Sequence, residues 1–441
     1  MPTRENKWWF AWYYAFMILW QLGRSALNFI RILLWILVLL FVLSASTVPL
    51  RDPDENIRRF TRQIEFEFVG WTLDALWSKF EQYSLDATSK MSEEQRQALA
   101  VGYFEQLQAS KQLARQIELI LSDPNQSGQS SELQDFQDEF FYVQRTIAEQ
   151  QPFVESILQQ QASTVLAEYG FGVGGRVFPP LTFEFTPLPL TLIVSPREVI
   201  RQDANVPLDP ALDLSEKVSL EAEIDKELNV SSLVVNIGGV GTYPSMILES
   251  TSIATVIEIV IHEWAHNYLT LRPLGLNVFV SEELRTMNET AANLFGKEIG
   301  REVLTRYYPE FVRQPVAPST SVQQDNPPVF NFRAEMFETR VTADKLLVEG
   351  KIDEAEVYME ERRQLLWENG YHIRKLNQAY FAFHGAYADV PGGSAGDDPV
   401  GDAVRELWER IDSPQEFLWT ISWLDDFGDL QKVLDEDVTR P

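Results

Sequence analysis

Apolar side chains recur at helical spacing along the first third of this chain. After the N-terminal 50 residues, the pattern predicts two long helical pieces between residues 54 and 122, with a break near Asp86 to Ser92. A polar loop from Ser122 to Ser131 precedes a third predicted helix from Glu132 to Tyr169, which could bend at Pro152. This region is typical of a helical stalk or bundle without chemistry of its own.

The pattern changes at Gly170, where glycine and proline separate short runs of β-branched and aromatic residues. We predict strands between residues 177 and 195, a helix from Leu214 to Leu228 and another strand from Ser232 to Ile237. The segment from Gly238 to Pro244 holds three glycines but lacks the lysine and the spacing of a nucleotide-binding loop. We therefore expect a strand edge there, where the backbone closely approaches another element.

Helical spacing dominates again from Ser250 onward, interrupted by a proline-rich loop between Tyr308 and Pro328. The predicted helices cover residues 251 to 271, 281 to 307, 332 to 349, 352 to 369 and 374 to 388. The fold class predicted from the whole pattern is α+β, mostly helical, with a small sheet.

The N-terminal 50 residues contain an apolar segment of membrane-spanning length. The run from Ile32 to Val48 is uncharged, and with Ala26 to Ile30 it reaches about the 20 residues that cross a bilayer core. We predict one transmembrane helix over residues 26 to 48. The Trp-rich segment from Trp8 to Trp20 is typical of the headgroup interface. The alternative is a cleaved signal peptide, with Ser44-Ala45-Ser46 as the cleavage site.

Basic residues flank this predicted span on both sides. Four of them precede its uncharged run from Ile32 and favour a cytoplasmic N-terminus, whereas four others follow the span and reduce the asymmetry: Arg4, Lys7, Arg24 and Arg31 before, and Arg51, Arg58, Arg59 and Arg62 after. We expect a single-pass membrane protein whose remaining chain lies outside the cytoplasm.

Charge and residue usage narrow the chemistry. The 441 residues include 65 acidic and 37 basic side chains, a net charge of −28, which repels phosphate backbones and argues against nucleic-acid binding. The chain has no cysteine, so disulfides, thiolate ligands and a cysteine nucleophile are excluded. Any metal site must therefore use His, Asp or Glu, and the chain has only four histidines.

Two of these histidines belong to one short motif, His262-Glu263-Trp264-Ala265-His266. On a helix, side chains four residues apart share a face, so both imidazoles can bind one Zn²⁺ while Glu263 acts as general base. A third ligand is expected in Met287 to Asn293, where Glu289 follows His266 by 23 residues on a helix opened by Ser281. The alternatives are a decayed metal site, and an intramembrane protease, for which the apolar run before the motif is too short.

Further polar residues are candidates for supporting roles. Asn377, Tyr380, His384 and Tyr387 form one stripe on the predicted helix 374 to 388, from which His384 or Tyr387 could donate to an oxyanion. The alternative for this stripe is an amphipathic helix whose polar side chains face water or satisfy buried backbone.

Two further residues could orient a metal ligand by hydrogen bonding to it: Glu258, one turn before His262, and Asn293, one turn after Glu289. A solvated helix face is the alternative for Glu258.

The residues HEWAH followed by NETAAN resemble the gluzincin class of zinc metallopeptidases, in which two histidines and a downstream glutamate bind zinc. The match extends to predicted bacterial aminopeptidases, which carry an N-N-A-x-L-x-x-x-G-x-Y segment that corresponds to Asn377 to Tyr387 here. Gln378 replaces the second Asn, and the lipid-anchoring cysteine common in those relatives is absent. The resemblance, which covers about residues 232 to 389, implies that Asn377 and Tyr387 lie near the site.

The predicted organisation is a membrane anchor over residues 1 to 50, a helical region over 51 to 170 and a zincin-like metallopeptidase domain over 171 to 441. The expected activity is zinc-dependent hydrolysis of a peptide or protein, as an aminopeptidase or an endopeptidase. The expected second partner is the lipid bilayer, through the N-terminal helix. Two other readings stay open, namely an inactive zinc-binding docking module on the membrane and a structural stalk protein.

Overall fold

The computed structural model describes residues 55–85, 87–122, 131–312 and 330–438. These ranges are mostly helical, with two three-stranded sheets and one short hairpin, which confirms the predicted α+β class. None of the helices in these ranges has both the length and the hydropathy needed to cross a bilayer. The predicted span at 26 to 48 and the Trp-rich segment lie outside the described residues.

Four helices make up the described part of the N-terminal region. They are α1 (Glu55–Thr61), α2 (Phe68–Leu85), α3 (Glu93–Ser122) and α4 (Ser131–Leu166). The predicted break before α3 is confirmed and contains a 3₁₀ turn, Ala87–Lys90. Helix α4 continues through Pro152 and ends in a π-helical turn, where Gly170 adopts a positive φ of 90°. Glycine accepts that conformation without steric cost.

The central region holds the strands and one helix, α5 (Leu214–Leu228). The strands are β1 (Gly172–Val173), β2 (Arg176–Val177), β3 (Phe183–Phe185), β4 (Leu190–Pro196), β5 (Ala204–Leu208), β6 (Val230–Val235), β7 (Gly239–Val240) and β8 (Ser245–Ile247). One sheet has the antiparallel order β5-β4-β6. The other has the order β3-β8-β7, in which β3 is parallel and β7 antiparallel to β8. The strand region predicted at 177 to 195 is broken into pieces because its prolines cannot donate to a ladder.

Helices follow to the C-terminal end, with bounds close to those predicted for the four longest. They are α6 (Ile253–Leu269), α7 (Pro273–Leu276), α8 (Glu282–Tyr307), α9 (Phe332–Val348), α10 (Ile352–Glu368), α11 (Gln378–His384), α12 (Pro399–Arg410), α13 (Pro414–Ser422) and α14 (Phe427–Val438). Ser252 and Ser281 cap α6 and α8, each accepting a backbone N–H three residues on at 3.2 Å.

The prediction of one helix from 374 to 388 is wrong in extent, because α11 covers only seven of those residues. Asn377 is its N-cap, and its Oδ1 accepts the N–H of Tyr380 at 2.9 Å. Arg374 and Lys375 lie before the helix and hydrogen-bond β6 carbonyls instead. The four polar residues therefore do not share one helical stripe.

One hydrophobic core joins the N-terminal helices to the helices that carry the metal-binding motif. It contains buried side chains of α3, α4, α6, α8, α12 and α13. The ring of Trp264 lies against Phe171, Tyr268 and Phe295, and its Nε1 donates to the carbonyl of Pro179 at 2.8 Å. Trp264 thus anchors α6 on the side opposite its histidines.

Side chains of α4 cover the outer edge of β3. Gln159 Oε1 accepts the N–H of Phe183 at 3.2 Å, and Glu155 Oε1 accepts that of Phe185 at 2.8 Å. Gln151 donates to the carbonyl of Phe185 at 3.0 Å. Three residues spaced by one helical turn therefore satisfy the backbone groups that a further strand would need.

The sheet β5-β4-β6 has contacts along both of its outer edges. Lys375 and Asn377 donate to the carbonyl of Ser232 on β6 at 2.9 and 3.0 Å. On the β5 side, Phe66 N–H donates to the carbonyl of Pro207 at 3.1 Å. The outer edge of β7, in contrast, pairs with no other strand in the described chain.

Candidate metal centre

Three side chains from two helices converge on one point. The Nε2 atoms of His262 and His266, both on α6, lie 2.9 Å apart, and each is 3.7 Å from Oε2 of Glu289 on α8. A point equidistant from these atoms lies about 2 Å from each, which matches zinc bonds to imidazole nitrogen and carboxylate oxygen, roughly 2.0–2.2 Å. The predicted trio is thus brought together in a geometry that fits a metal ion.

A second observation supports this fit. Glu289 Oε2 is buried and has no hydrogen-bond partner among the described residues. A buried carboxylate oxygen without a partner is costly, and a cation would satisfy it. Within the described ranges, these three residues are the one group of three His, Cys, Asp or Glu side chains that could hold an ion.

Two glycines of α8 allow the two ligand-bearing helices to approach closely. A Cβ atom at Gly296 would lie 3.1 Å from both the carbonyl oxygen of Glu258 and Cβ of His262. A Cβ atom at Gly300 would lie 3.2 Å from Cα of Glu258. Both distances are tighter than ordinary van der Waals contact, so any larger residue would push α6 away from α8.

The carboxylate of Glu289 and the two imidazoles shift one another's pKa values. Burial would raise the pKa of Glu289, but the neighbouring His266, His262 and Arg285 outweigh it and lower that pKa to about 2. Burial would likewise lower the pKa of His266, yet the Glu289 carboxylate raises it to about 9. Burial and the nearby His266 charge lower the pKa of His262 to about 4. The metal-free site therefore holds one imidazolium, and a cation would take its place.

Glu263 lies beneath the β7 strand, beside the trio. A Cβ atom at Gly239 would be 2.8 Å from Cδ of Glu263, and one at Gly241 would be 3.1 Å from Cβ of His266. The close backbone approach expected for this glycine segment is confirmed. Burial raises the pKa of Glu263 to about 7 against the opposing effect of His266, so the carboxylate can exchange a proton near neutral pH.

The residue that orients a ligand most directly was missed by the sequence analysis. Asn288 is buried, and its Oδ1 lies 2.7 Å from Nδ1 of His266. With Nδ1–H donating to this amide, Nε2 is directed toward the metal position. The position of Asn288 directly before Glu289 could have drawn attention to it. Helix spacing alone, however, does not show which neighbour its side chain contacts.

The two residues predicted to orient a ligand, Asn293 and Glu258, lie in different surroundings. Asn293 donates to Asp389 Oδ1 at 3.4 Å, and both side chains lie near enough to His262 to raise its pKa against burial. Glu258 lies at the crossing of α6 and α8, where its backbone contacts the glycines of α8. The backbone of Glu258 therefore takes part in the packing of the two helices, and its role in orienting His262 stays a prediction.

Three residues of the predicted polar stripe make contacts within α11 or with β6. Asn377 joins the start of α11 to β6, as described above. The ring of His384 packs on Tyr380 at 4.3 Å and on Phe383 at 5.0 Å, and burial lowers its pKa to about 4. Burial raises the pKa of Tyr380 to about 12.

Tyr387 is the member of that group whose electrostatic surroundings include the metal site. Burial and then the Glu289 carboxylate raise the pKa of its phenol well above the usual value, with Glu263 adding to this. Arg285, a buried residue one turn before Glu289, donates to the carbonyls of Ala382 and Phe383 at 2.9 and 3.3 Å. This arginine joins α8 to the end of α11, just before Tyr387.

Comparisons with protein-family models, with curated proteins and with solved structures found no match to this chain. The resemblance to the gluzincin class therefore stays a prediction that depends on the residues of its motifs.

We expect His262→Ala, His266→Ala and Glu289→Ala each to lose most of the bound zinc, because two remaining ligands leave the site too weak. Metal content after dialysis, measured by mass spectrometry, checks this. His372→Ala is the matched control, since this histidine is exposed and packs on Trp367. Stoichiometric zinc in His262→Ala would show that the ligand set is wrong.

We also expect Gly296→Ala to weaken metal binding without touching a ligand. Overpacking costs roughly 1–3 kcal/mol, so relief by separating α6 from α8 would lower zinc affinity about tenfold or more. Gly102→Ala on α3 is the control, because a Cβ atom there meets nothing within 4 Å. Equal zinc affinity in both variants would contradict the importance of this helix contact.

Proposed function

We propose that this chain is a membrane-anchored, zinc-dependent peptidase that hydrolyses peptide bonds with Glu263 as general base. The observation that carries the proposal is the convergence of His262, His266 and Glu289 beside a buried carboxylate, under an unpaired strand edge. Two imidazoles and one carboxylate are a donor set of catalytic zinc, and they leave a fourth position for water or substrate.

Glu263 suits the role of proton carrier. Its carboxylate is buried, and its pKa of about 7 lets it accept a proton from water and deliver it to the leaving amine. Glu289, with a pKa of about 2, stays ionised and serves as a ligand. The two carboxylates thus have separate tasks because their surroundings move their pKa values in opposite directions.

A bound zinc ion would supply Lewis-acid polarisation of the scissile carbonyl and lower the pKa of a water molecule. Tyr387 complements this chemistry, since its raised pKa keeps the phenol protonated and able to donate. A donor at the developing oxyanion is the usual means of stabilising the charge of a tetrahedral transition state. Arg285 holds the end of α11 and thereby the segment that carries Tyr387.

The β7 strand offers a place for an extended substrate. Gly239 of β7 and Gly241 just after it bring the backbone against Glu263 and His266, and the outer edge of β7 pairs with no described strand. A peptide that adds to this edge through backbone hydrogen bonds would pass directly over the base. This supports a peptide or protein substrate over a small metabolite.

The location proposed for the active domain is outside the cytoplasm, held by a single span over residues 26 to 48. The support is the apolar length of that segment and the basic residues before it. An inactive zinc-binding docking module is the alternative, and turnover by the zinc-loaded protein separates the two.

We expect Glu263→Gln to keep its fold and its zinc but to lose about 10²- to 10⁴-fold in turnover, because the amide cannot accept the proton. Zinc content and cleavage of a peptide library, measured on the same preparation, check this. Glu298→Gln is the control, because Glu298 lies on the same helix as Glu289 but pairs with Arg301 at the surface. An unchanged turnover number in Glu263→Gln would reject the mechanism.

For the oxyanion donor we expect Tyr387→Phe to reduce turnover by about 10²- to 10³-fold while zinc content and KM stay near the parent values. His384→Ala is the informative comparison, since this ring packs on Tyr380 and Phe383 of α11, and burial and Arg285 lower its pKa. A larger loss of turnover in His384→Ala than in Tyr387→Phe would reverse the assignment. If both variants cleave at the parent rate, neither Tyr387 nor His384 stabilises the oxyanion.

A further inference from the structure

The two imidazoles of the metal site differ in what meets their Nδ1 atoms. Nδ1 of His266 lies 2.7 Å from Oδ1 of Asn288. Nδ1 of His262 is buried and makes no hydrogen bond of normal geometry to a described residue. An imidazole that binds a metal through Nε2 carries its proton on Nδ1, so a metal-loaded His262 needs an acceptor there.

The side chain of Asn293 is a group that can provide this acceptor. It lies on α8, one turn after Glu289. Burial and the charge of His266 lower the pKa of His262, whereas hydrogen bonding by Asn293 acts in the opposite direction. An asparagine side chain has an oxygen that accepts and an NH₂ group that donates, and a half turn of the amide exchanges them. The role of Asn293 therefore depends on which end of its amide faces the imidazole.

Asp389 determines the orientation of that amide. Its side chain is 10% exposed, and its Oδ1 accepts a hydrogen bond from Nδ2 of Asn293 at 3.4 Å. An ionised carboxylate only accepts hydrogen bonds, so it does not face an amide oxygen. Lys297, one turn beyond Asn293 on α8, forms an ion pair with Oδ2 of Asp389. The NH₂ group is thus turned toward Asp389, which leaves Oδ1 of Asn293 for His262.

The backbone before Asp389 is held by two helices, so its carboxylate has a fixed position. The carbonyl of Ala388 accepts a hydrogen bond from the guanidinium of Arg405 on α12. The carbonyl of Ala386 accepts one from Oγ1 of Thr290 on α8 at 3.5 Å. Both alanines are buried. The segment that follows α11 therefore cannot move without breaking contacts to α8 and α12.

We propose that Asp389 is a positioning residue, which turns the amide of Asn293 so that its oxygen accepts the Nδ1 proton of His262. Nε2 of His262 is then directed at the metal, as Asn288 directs that of His266. The proposal rests on the zinc site put forward above, but not on peptide hydrolysis. It adds a carboxylate from a third segment of the chain to the two helices that carry the ligands.

Exchanging the side chains at positions 293 and 389 tests this role. In Asp389→Asn, residue 389 can donate or accept, so the amide of Asn293 is no longer held in one orientation. We expect the zinc dissociation constant of the full-length protein, measured by competition with a chelator, to rise about 10- to 100-fold. We also expect the visible absorption spectrum of bound Co²⁺ to change, because the ring of His262 loses its fixed direction.

The double variant Asn293→Asp/Asp389→Asn is the rescue. A carboxylate at residue 293 accepts the Nδ1 proton of His262 with either oxygen, so it needs no neighbour to orient it. We expect most of the zinc affinity and the parent Co²⁺ spectrum to return. Glu298→Gln is the matched control, since it also converts a carboxylate to an amide, and Glu298 pairs with Arg301 at the surface of α8.

Two results with folded protein would overturn the proposal. One is parent zinc affinity in Asp389→Asn, and the other is a loss that the double variant does not recover. If Asp389→Asn does not fold, Asn293→Leu removes the acceptor and leaves Lys297 paired with Asp389. Parent zinc affinity in Asn293→Leu would then overturn the proposal.

Failure of the peptidase function gives a different result. A parent protein that binds zinc but cleaves no peptide would reject that function, and the zinc affinities of the variants would still decide the role of Asp389. A parent protein that binds no zinc would overturn both.

Discussion

The contact between α6 and α8 is the interaction on which the candidate site depends. The helices run in opposite directions, since Glu258 meets Gly300, His262 meets Gly296, and His266 meets Asn288 and Glu289. Because both helices are rigid, this crossing determines where Glu289 stands relative to the two imidazoles. The absence of side chains at the two glycines lets the two imidazole Nε2 atoms and Glu289 Oε2 lie within 3.7 Å of one another.

The same crossing places opposite charges in a buried space, and the site is arranged to tolerate them. The negative charge of Glu289 is stabilised by two imidazoles and by Arg285. For Glu263, burial is the largest effect on the pKa. The result is one permanently ionised carboxylate and one that titrates near neutrality, a division typical of acid–base sites. Arg285 has a second role, because its hydrogen bonds to the end of α11 tie the segment before Tyr387 to α8.

The residues that sequence analysis predicted best are those related by local helix geometry. His262, Glu263 and His266 have their relative positions set by 3.6 residues per turn, and the capping serine of α8 fixes where the helix of Glu289 begins. The predicted extent of the helix at 374 to 388 was wrong because the spacing of Asn377 from the later polar residues fits a helix interior, whereas Asn377 is the N-cap of α11. Asn288 and Arg285 were missed because their partners depend on how α8 is rotated against α6 and α11. That rotation is a property of tertiary packing, which a single sequence does not display.

The covering of sheet edges by α4, α11 and the segment around Phe66 limits how copies of this protein can associate. Growth of a fibre through strand pairing requires two free edges on each molecule, so that every added copy offers a new one. Among the described edges of the two three-stranded sheets, β7 offers its outer edge without such a cover from α4, α11 or the Phe66 segment, and it has two residues, one of them glycine. Strand pairing between two copies would use that edge on both and would stop at a dimer. Strand pairing through the described edges of these two sheets therefore favours a closed pair over a growing fibre.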